Sequence, residues 1–364
     1  MSLKIKTTKL QEMVSRAIKG ASNNKMIPLT GLMFISLAKK KLTLTTTDAT
    51  NYLYIVESKV EGEDFNVTVP VDIFSKLISK LTCENVELNI NEEDSVLEVI
   101  GNGSYLIELP TDEEGQPIKY PDPVGDMKLG KSTETGEINL STVQAILTTA
   151  KPSLATTTDV PCYMGYYMGD DIVTTDTVKL CDMQISVFGT PKLISSEQMN
   201  LLSVMEAEKI KVHEKDNILV YVSPDCTVYG PTHEGIDEFN IEAIKNLMDT
   251  KFDSKCKLPK DAVLQVLDRL SLFVEDYEKN AIHLTFTKEG LQISSMKSSG
   301  IEVIKYLESD NFKDYICAID IECLQSQIKA LVGDSFELSY GDSNALKITE
   351  GNVTLLICLL DENE

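Results

Sequence analysis

A stretch of alternating, β-branched residues running into a polar turn occurs three times: "KLTLTTTDAT" from Lys41, "DDIVTTDTVK" from Asp170 and "EGLQISSMKS" from Glu289. Each copy lies between two amphipathic segments whose apolar residues recur at helical spacing. The first segments of the pairs are "TKLQEMVSRAIKG", "NLSTVQAILTTAK" and "PKDAVLQVLDRL"; the second are "VDIFSKLISKL", "SEQMNLLSVMEAEKI" and "IDIECLQSQIKAL". Starts near residues 8, 140 and 259 are 132 and 119 residues apart, and starts near 71, 196 and 320 are 125 and 124 apart. A unit of about 120 residues, ordered helix, strands, helix, strands, is thus present three times. A unit of that size can bury its own core, so the chain reads as three tandem like domains of α+β class and not as a solenoid of short repeats.

Runs such as "LMFISLAKKKLTLTTTD", "VELNINEEDSVLEVIG" and "FELSYGDSNALKITEGNVTLLICLL" supply the strands, punctuated by Asn-Gly, Glu-Gly and Gly-Asp turn signals. Helix starts are expected at Thr8 or Ser141 as caps, at Ser196 before a glutamate, and at Pro259 near a first helical position. The polar segments "YPDPVGDMKLGKSTETGE" and "MDTKFDSKCK" place the boundaries, giving domains 1–127, 128–252 and 253–364.

With 42% hydrophobic and 25% charged residues the chain can bury a core and is not compositionally disordered. Its basic start, "MSLKIKTTKL", lacks the apolar core and cleavage site of a secretion signal, and no apolar run reaches the ~18 residues of a membrane span. A cytoplasmic protein without membrane contact is expected. The eight cysteines are scattered without a C-x-x-C pair, which favours reduced, buried thiols over disulfides or a metal site. His213, His233 and His283 have no metal-ligand spacing, "IGNGSYL" reads as a hairpin turn, and neither G-x-x-x-x-G-K nor G-x-S-x-G occurs. Asp170-Asp171 and Glu92-Glu93-Asp94 read as loop charges. No catalytic residue, metal or cofactor is assigned.

The order of motifs along the whole chain resembles one family, the bacterial-type DNA sliding clamps, which are the beta subunits of DNA polymerase III. The resemblance rests on "MIPLTGLMFISL", "LTLTTTDATNYL", "VTVPVDIFSKLISKL" and "GSYLIELPTDEEGQPIKYPD" in the first repeat. "VTTDTVKL" carries it in the second, and "LDRLSLFVEDYEKNAIHLTFTKEGLQISS" with "VTLLICLL" in the third. It implies a DNA-clamp fold in which two three-domain chains join head to tail as a homodimeric ring around double-stranded DNA, helices inside and sheets outside. It also implies a processivity factor, opened by a clamp loader, that tethers DNA polymerase and other enzymes bearing short clamp-binding peptides. The alternative is a clamp-fold interaction or regulatory protein that does not encircle DNA; a hydrolase on this scaffold is a more distant third.

Several residues acquire expected roles from that resemblance. The peptide groove maps to Tyr163, Thr175, Thr177, Val178, Lys179, Leu180, Leu247, Met248, Leu355, Leu356, Ile357, Cys358 and Leu359. Thr177-Val178-Lys179 stands where the family commonly has glycine, histidine and arginine, and the chain ends in the acidic "ICLLDENE". The subunit contact maps to Tyr105, Leu106, Ile107, Leu272 and Phe273. A net charge of −23 would repel DNA if spread evenly. Over the six segments 8–20, 71–81, 139–151, 196–210, 259–270 and 319–331, however, 10 basic residues face 9 acidic ones. The remainder carries the whole −23 and one charge more. Lys9, Arg16, Lys19, Lys25, Lys76, Lys80, Lys151, Lys260 and Lys329 are the expected phosphate contacts, sequence-independent and compatible with sliding. Glu197, Glu206 and Glu208 make the fourth segment the exception.

Overall fold

The structure is a computed structural model that describes residues 2–91, 95–157, 159–274, 280–297, 299–341 and 343–361. The acidic loop Glu92-Glu93-Asp94, residues 275–279 of the third-repeat motif, and the last three residues of the acidic end lie outside the described residues.

Each repeat contributes two four-stranded half-sheets of antiparallel strands. A central half-sheet comes from the strands between its two helices; a flanking half-sheet comes from the strand before the first helix and the three after the second. In the first repeat the flanking set is Ser2–Lys6, Asn85–Asn91, Val96–Ile100 and Ser104–Glu108, which stands alone as a four-stranded sheet in that order. The central set, ordered Phe65–Pro70, Leu32–Ala38, Lys41–Thr47 and Tyr52–Ser58, continues directly into the flanking set of the second repeat: Cys226–Pro231, Ile218–Val222, Lys209–Lys215 and Glu134–Asn139. The second repeat's central set, Lys192–Ser195, Gly165–Met168, Ile172–Thr175 and Lys179–Met183, continues in the same way into Val353–Cys358, Ala345–Glu350, Ser335–Tyr340 and Ser254–Pro259, with Glu308–Asp310 added at the edge. The third repeat's central set, Ile301–Ile304, Gly290–Ser295, Ala281–Thr287 and Tyr315–Asp320, again stands alone.

Compactness follows these sheets. One unit comprises Met1–Val143 with Glu197–Thr232, the other Gln144–Ser196 with His233–Glu364. The middle repeat thus gives one half-sheet to each.

Strand alternation and helix stripes build the cores. Leu10, Met13, Val14 and Ala17 on helix Thr7–Ala17, and Phe74 and Ile78 on helix Val71–Lys80, are buried in the first unit. Val263, Val266, Leu267 and Leu270 on helix Lys260–Leu270, with Leu324 and Ile328 on Ile321–Ala330, are buried in the second. Apart from Ala17, each such side chain contributes ~1.5–3 kcal/mol by leaving water. The Gln11 side-chain amide donates to the carbonyls of Ile78 and Leu81, both at 2.9 Å, fixing one helix against the end of the other.

Helix starts differ from expectation. Thr8 and Ser141 are second residues of their helices, Ser196 is a first residue, and Pro259 ends the preceding strand. The cap is instead a backbone carbonyl: the Thr7, Leu140 and Lys260 N–H groups donate to Glu84, Glu208 and Asp334 at 3.0, 2.9 and 2.9 Å. A strand that enters a helix without a loop leaves no room for a side-chain cap, and the carbonyl from the neighbouring strand's start takes the orphan donor. The same bond in each repeat also fixes their alignment residue by residue.

The helix expected over 196–210 stops at Leu202. Lys209–Lys215 pairs with strands on both sides, and those ladder bonds override the helical spacing. Glu206 and Glu208 are therefore not helical. A helix absent from the expectation, Ile241–Met248, is capped by Asn240, whose side chain accepts from the Ala243 N–H at 3.1 Å.

Candidate functional site

The recurring Thr-Asp turn has the same construction in the first two repeats. Thr47 Oγ1 donates to the Asn51 carbonyl at 2.6 Å, and the Asp48 carboxylate accepts from the Thr50 and Asn51 N–H groups at 2.9 and 2.7 Å. Thr175 Oγ1 donates to the Lys179 carbonyl at 2.9 Å, and Asp176 accepts from the Val178 and Lys179 N–H groups at 3.0 and 2.6 Å. Each aspartate thus holds a tight Asx-type turn, followed by a residue at positive φ: Ala49 at 86° and Thr177 at 77°. Thr177 is exposed, and a β-branched residue there costs about 1 kcal/mol relative to a relaxed backbone. Thr177→Gly is expected to stabilise the chain by ~0.5–1 kcal/mol despite glycine's larger unfolded-state entropy, a rise of about 2 °C in a calorimetric scan. A lower midpoint would show that the threonine side chain contributes more than its backbone costs.

In the second unit this turn forms one wall of a cleft of about 420 Å³. Tyr163, Thr175, Thr177, Val178, Lys179, Leu180, Leu247, Leu356 and Cys358 line it, nine residues expected there. Met248, Leu355, Ile357 and Leu359 do not. Along Val353–Cys358 alternate side chains face opposite ways, so Leu356 and Cys358 meet the cleft while Leu355 and Ile357, both fully buried, pack into the core behind it. Met248 is on the buried side of its helix. The opposite wall comes from the unforeseen helix, through Asn240, Ala243 and Ile244, with Phe252 beyond it; Asn344 and Ala345 close one end. The signal for this wall was present in the asparagine cap and in Ile241, Ile244 and Met248 at helical spacing.

Beneath the cleft lies a cluster of buried apolar side chains including Tyr167, Leu180, Phe239, Ile244 and Leu356. Phe239 stacks on Tyr167 at 5.1 Å and meets Tyr163 edge-on at 5.6 Å. Lys245, on the outer side of the helix, bonds Asp171 at 2.8 Å and holds this wall in place. The Lys179 ammonium lies 3.3 Å from Asp176, so its charge is directed at the turn. An apolar floor, two exposed apolar flanks in Val178 and Leu247, and a few polar rim groups give the cleft a surface with room for apolar side chains. A larger cavity of about 1040 Å³ in the first unit runs under the turns at 109–120, its rim carrying Asp112 and Glu114.

The nine expected phosphate contacts divide by environment. Lys19, Lys25 and Lys80 are exposed with no ion pair among the described residues; Lys151 and Lys329 are also exposed. Lys76 is exposed and bonds Asp72 one helical turn away. Lys9 is held between Glu12 and Glu57 at 3.0 and 2.9 Å, and the Lys260 amine donates to the Leu331 carbonyl. Arg16 is only 11% exposed and serves the first unit's sheet junction: Nε donates to the Val204 carbonyl at 2.9 Å, and the guanidinium bonds Asp225 and sits 3.3 Å from Glu206.

At the expected subunit contact, Tyr105, Leu106, Leu272 and Phe273 are exposed, Leu272 at 80%. Ile107 is 2% exposed and faces the core, as alternation along Ser104–Glu108 requires. Ile301 and Val303, not foreseen, add an exposed apolar row on the edge strand Ile301–Ile304.

Comparison with known proteins matches this construction. Residues 1–117 match the family model for the DNA polymerase III beta subunit, N-terminal domain. No curated protein matched the chain. Among solved structures, the DNA polymerase III subunit beta of Borrelia burgdorferi, determined with a natural product, is 18% identical, with all of both chains covered and a TM-score of 0.86. The Bacillus subtilis DNA polymerase sliding clamp is 15% identical over 99% of both chains, at 0.84. A DNA polymerase III beta subunit from Eubacterium rectale is 16% identical over all of both, at 0.82. The chain therefore has the sliding-clamp fold throughout its length, and its first 117 residues carry the pattern of the DNA polymerase III beta subunit's N-terminal domain.

Proposed function

We propose that two copies of this chain join head to tail as a ring around duplex DNA and act as a non-enzymatic processivity factor, with 1–127, 128–252 and 253–364 as its repeated modules. The observation that carries this is a pairing rule. The third strand, in chain order, of each central half-sheet joins the last strand of the next repeat's flanking half-sheet: Tyr52–Ser58 with Cys226–Pro231, and Lys179–Met183 with Val353–Cys358. Among the described residues, the strands in the corresponding positions of the two remaining half-sheets, Ile301–Ile304 and Ser104–Glu108, join no other half-sheet. They are the two partners the rule requires, one from each end of the repeat series. Exposed sheet edges with apolar neighbours invite association, and a head-to-tail contact that closes removes both.

The existing junctions also give the register. Leu53 faces Val228 and Cys181 faces Leu355. The equivalent pair between copies is Ile301 with Tyr105, both exposed. Exposed Lys19, Lys25, Lys76, Lys80, Lys151 and Lys329 supply sequence-independent phosphate contacts, and the cleft of the second unit anchors an apolar peptide of a polymerase or other DNA enzyme, raising its effective concentration at the template. Opening by a clamp loader and residence in the cytoplasm fit the same reading.

Retention on DNA tests it. Loaded protein is expected to stay on closed circular duplex in high salt and to be lost once the circle is cut, with light scattering giving a dimer at micromolar concentration. Equal retention on cut and closed DNA would leave the non-encircling reading.

A further inference from the structure

The repeats align at their helix starts, so the tenth residue of each first helix is Arg16, Thr149 and Arg269. In the first two this position bridges a sheet junction. Arg16 reaches the Val204 carbonyl and Asp225, and Thr149 Oγ1 donates to the Ala330 carbonyl at 3.1 Å. Val204 and Ala330 each lie four residues before the carbonyl that caps a first helix, the place that Lys80 occupies in the first repeat. The acceptor Asp225 has equivalents too. Its carboxylate accepts from the Glu206 N–H at 3.3 Å; the Asn102 side-chain oxygen accepts from Thr82 and Cys83 at 2.7 and 3.3 Å; Glu350 accepts from Val332 and Gly333 at 2.9 and 2.7 Å. All three sit on the last hairpin of their repeat and hold the chain just after its second helix.

Arg269 therefore stands at the free end of the third repeat with no junction to bridge. It is 54% exposed and bonds Glu302 of the edge strand through Nε at 2.8 Å and a terminal nitrogen at 2.6 Å. Resting on the head-to-tail reading above, we propose that Arg269 of one copy bridges the junction to a second copy as Arg16 does within the chain, with the Lys80 carbonyl and the Asn102 side chain of the second copy as its acceptors. Where the internal junction has the carboxylate of Asp225, this one has a neutral amide. Position 265, equivalent to Glu12, is likewise uncharged glutamine. The junction between copies thus lacks the anions that Asp225 and Glu12 give the internal one, Glu302 of the same copy being the carboxylate that Arg269 meets, and Asn102 sets it as the weaker seam, the one that parts when the ring opens.

Asn102→Asp restores the missing anion with the same shape, and Asp225 shows that a carboxylate can make the local backbone bonds. Subunit exchange between fluorescently labelled wild-type, Asn102→Asp, Arg269→Gln and doubly substituted chains gives the dissociation rate even for a tight dimer. Asn102→Asp is expected to slow exchange about tenfold at low salt, a gain that fades in high salt and is absent when Arg269→Gln is also present. Arg269→Gln alone is expected to speed exchange severalfold. Unchanged exchange in both single variants, or a gain from Asn102→Asp that survives Arg269→Gln, overturns the assignment of Arg269 while leaving the ring intact. A wild-type chain that stays monomeric overturns the ring itself and this inference with it.

Discussion

Arg16→Met is expected to raise amide exchange in Tyr52–Ser58 and Cys226–Pro231 by about 100-fold at pH 7, because it removes about 3 kcal/mol from the first unit's sheet junction. The side chain is largely buried against a partly exposed Asp225, and its loss leaves the Val204 carbonyl without its donor and Asp225 without its cation. Removing one member of a buried pair costs more than the pair contributes, since the remaining charge keeps its burial. Asp225 retains the Ser223 hydroxyl at 2.9 Å, which keeps the loss at the lower end of the usual range.

The pH dependence carries the sign. Burial pushes the Asp225 carboxyl up, but hydrogen bonds from Arg16 and Ser223 outweigh it and hold the group below the ordinary carboxylate range. A depressed carboxyl contributes stability that is present above the unfolded value, ~3.9, and lost as pH falls through the folded one. The difference between wild type and Arg16→Met should therefore be full at pH 7 and shrink below about pH 4. An undiminished difference at pH 3 would mean that Arg16 acts by packing alone. The variant also separates structure from DNA contact: if Arg16 serves only the junction, ring retention on circular DNA at low temperature is unchanged.

The three-fold period was legible because it resides in residue types that alternate or recur at helical spacing, and because the Thr-Asp turn needs those two side chains for its hydrogen bonds. The joining of half-sheets across repeats was not. Nothing in the sequence of Tyr52–Ser58 says that its free edge meets Cys226–Pro231, 168 or more residues away; edge pairing is decided by backbone groups that every residue shares. Turn chemistry misled in places as well. The hairpin between Leu32–Ala38 and Lys41–Thr47 turns on Lys39 and Lys40, both at positive φ, where Asn-Gly would be the usual signal. An arginine on a polar helix face has the same sequence signature whether it meets phosphate or a partly buried aspartate, so the contacts of Arg16 with Asp225 and the Val204 carbonyl were not legible. In the cleft, the pattern "VTLLICLL" showed apolarity but not direction, and only the pleat separates Leu356 and Cys358 from Leu355 and Ile357.

That separation decides which substitutions test the cleft. Leu180 and Leu356 belong to the core cluster under it, so polar replacements there unfold the floor along with any site. Val178 and Leu247 line the cleft while 44% and 56% exposed, and Leu247 sits on a helix whose other face carries the packing residues Ile244 and Met248. Leu247→Asp and Val178→Asp should therefore leave the fold and dimer intact. Each places a carboxylate where an apolar side chain of the peptide must lose its water, at a cost of ~2–4 kcal/mol for a central anchor position. Binding of a labelled short peptide carrying leucine and phenylalanine, followed by fluorescence anisotropy, is expected to weaken at least 30-fold in either variant. Polymerase stimulation should fall with it, while retention on circular DNA persists. Affinity within twofold of wild type for both would place the peptide elsewhere. The larger cavity under the 109–120 turns would then be next, with Tyr120, which stacks on Phe34 at 5.7 Å, as its test position.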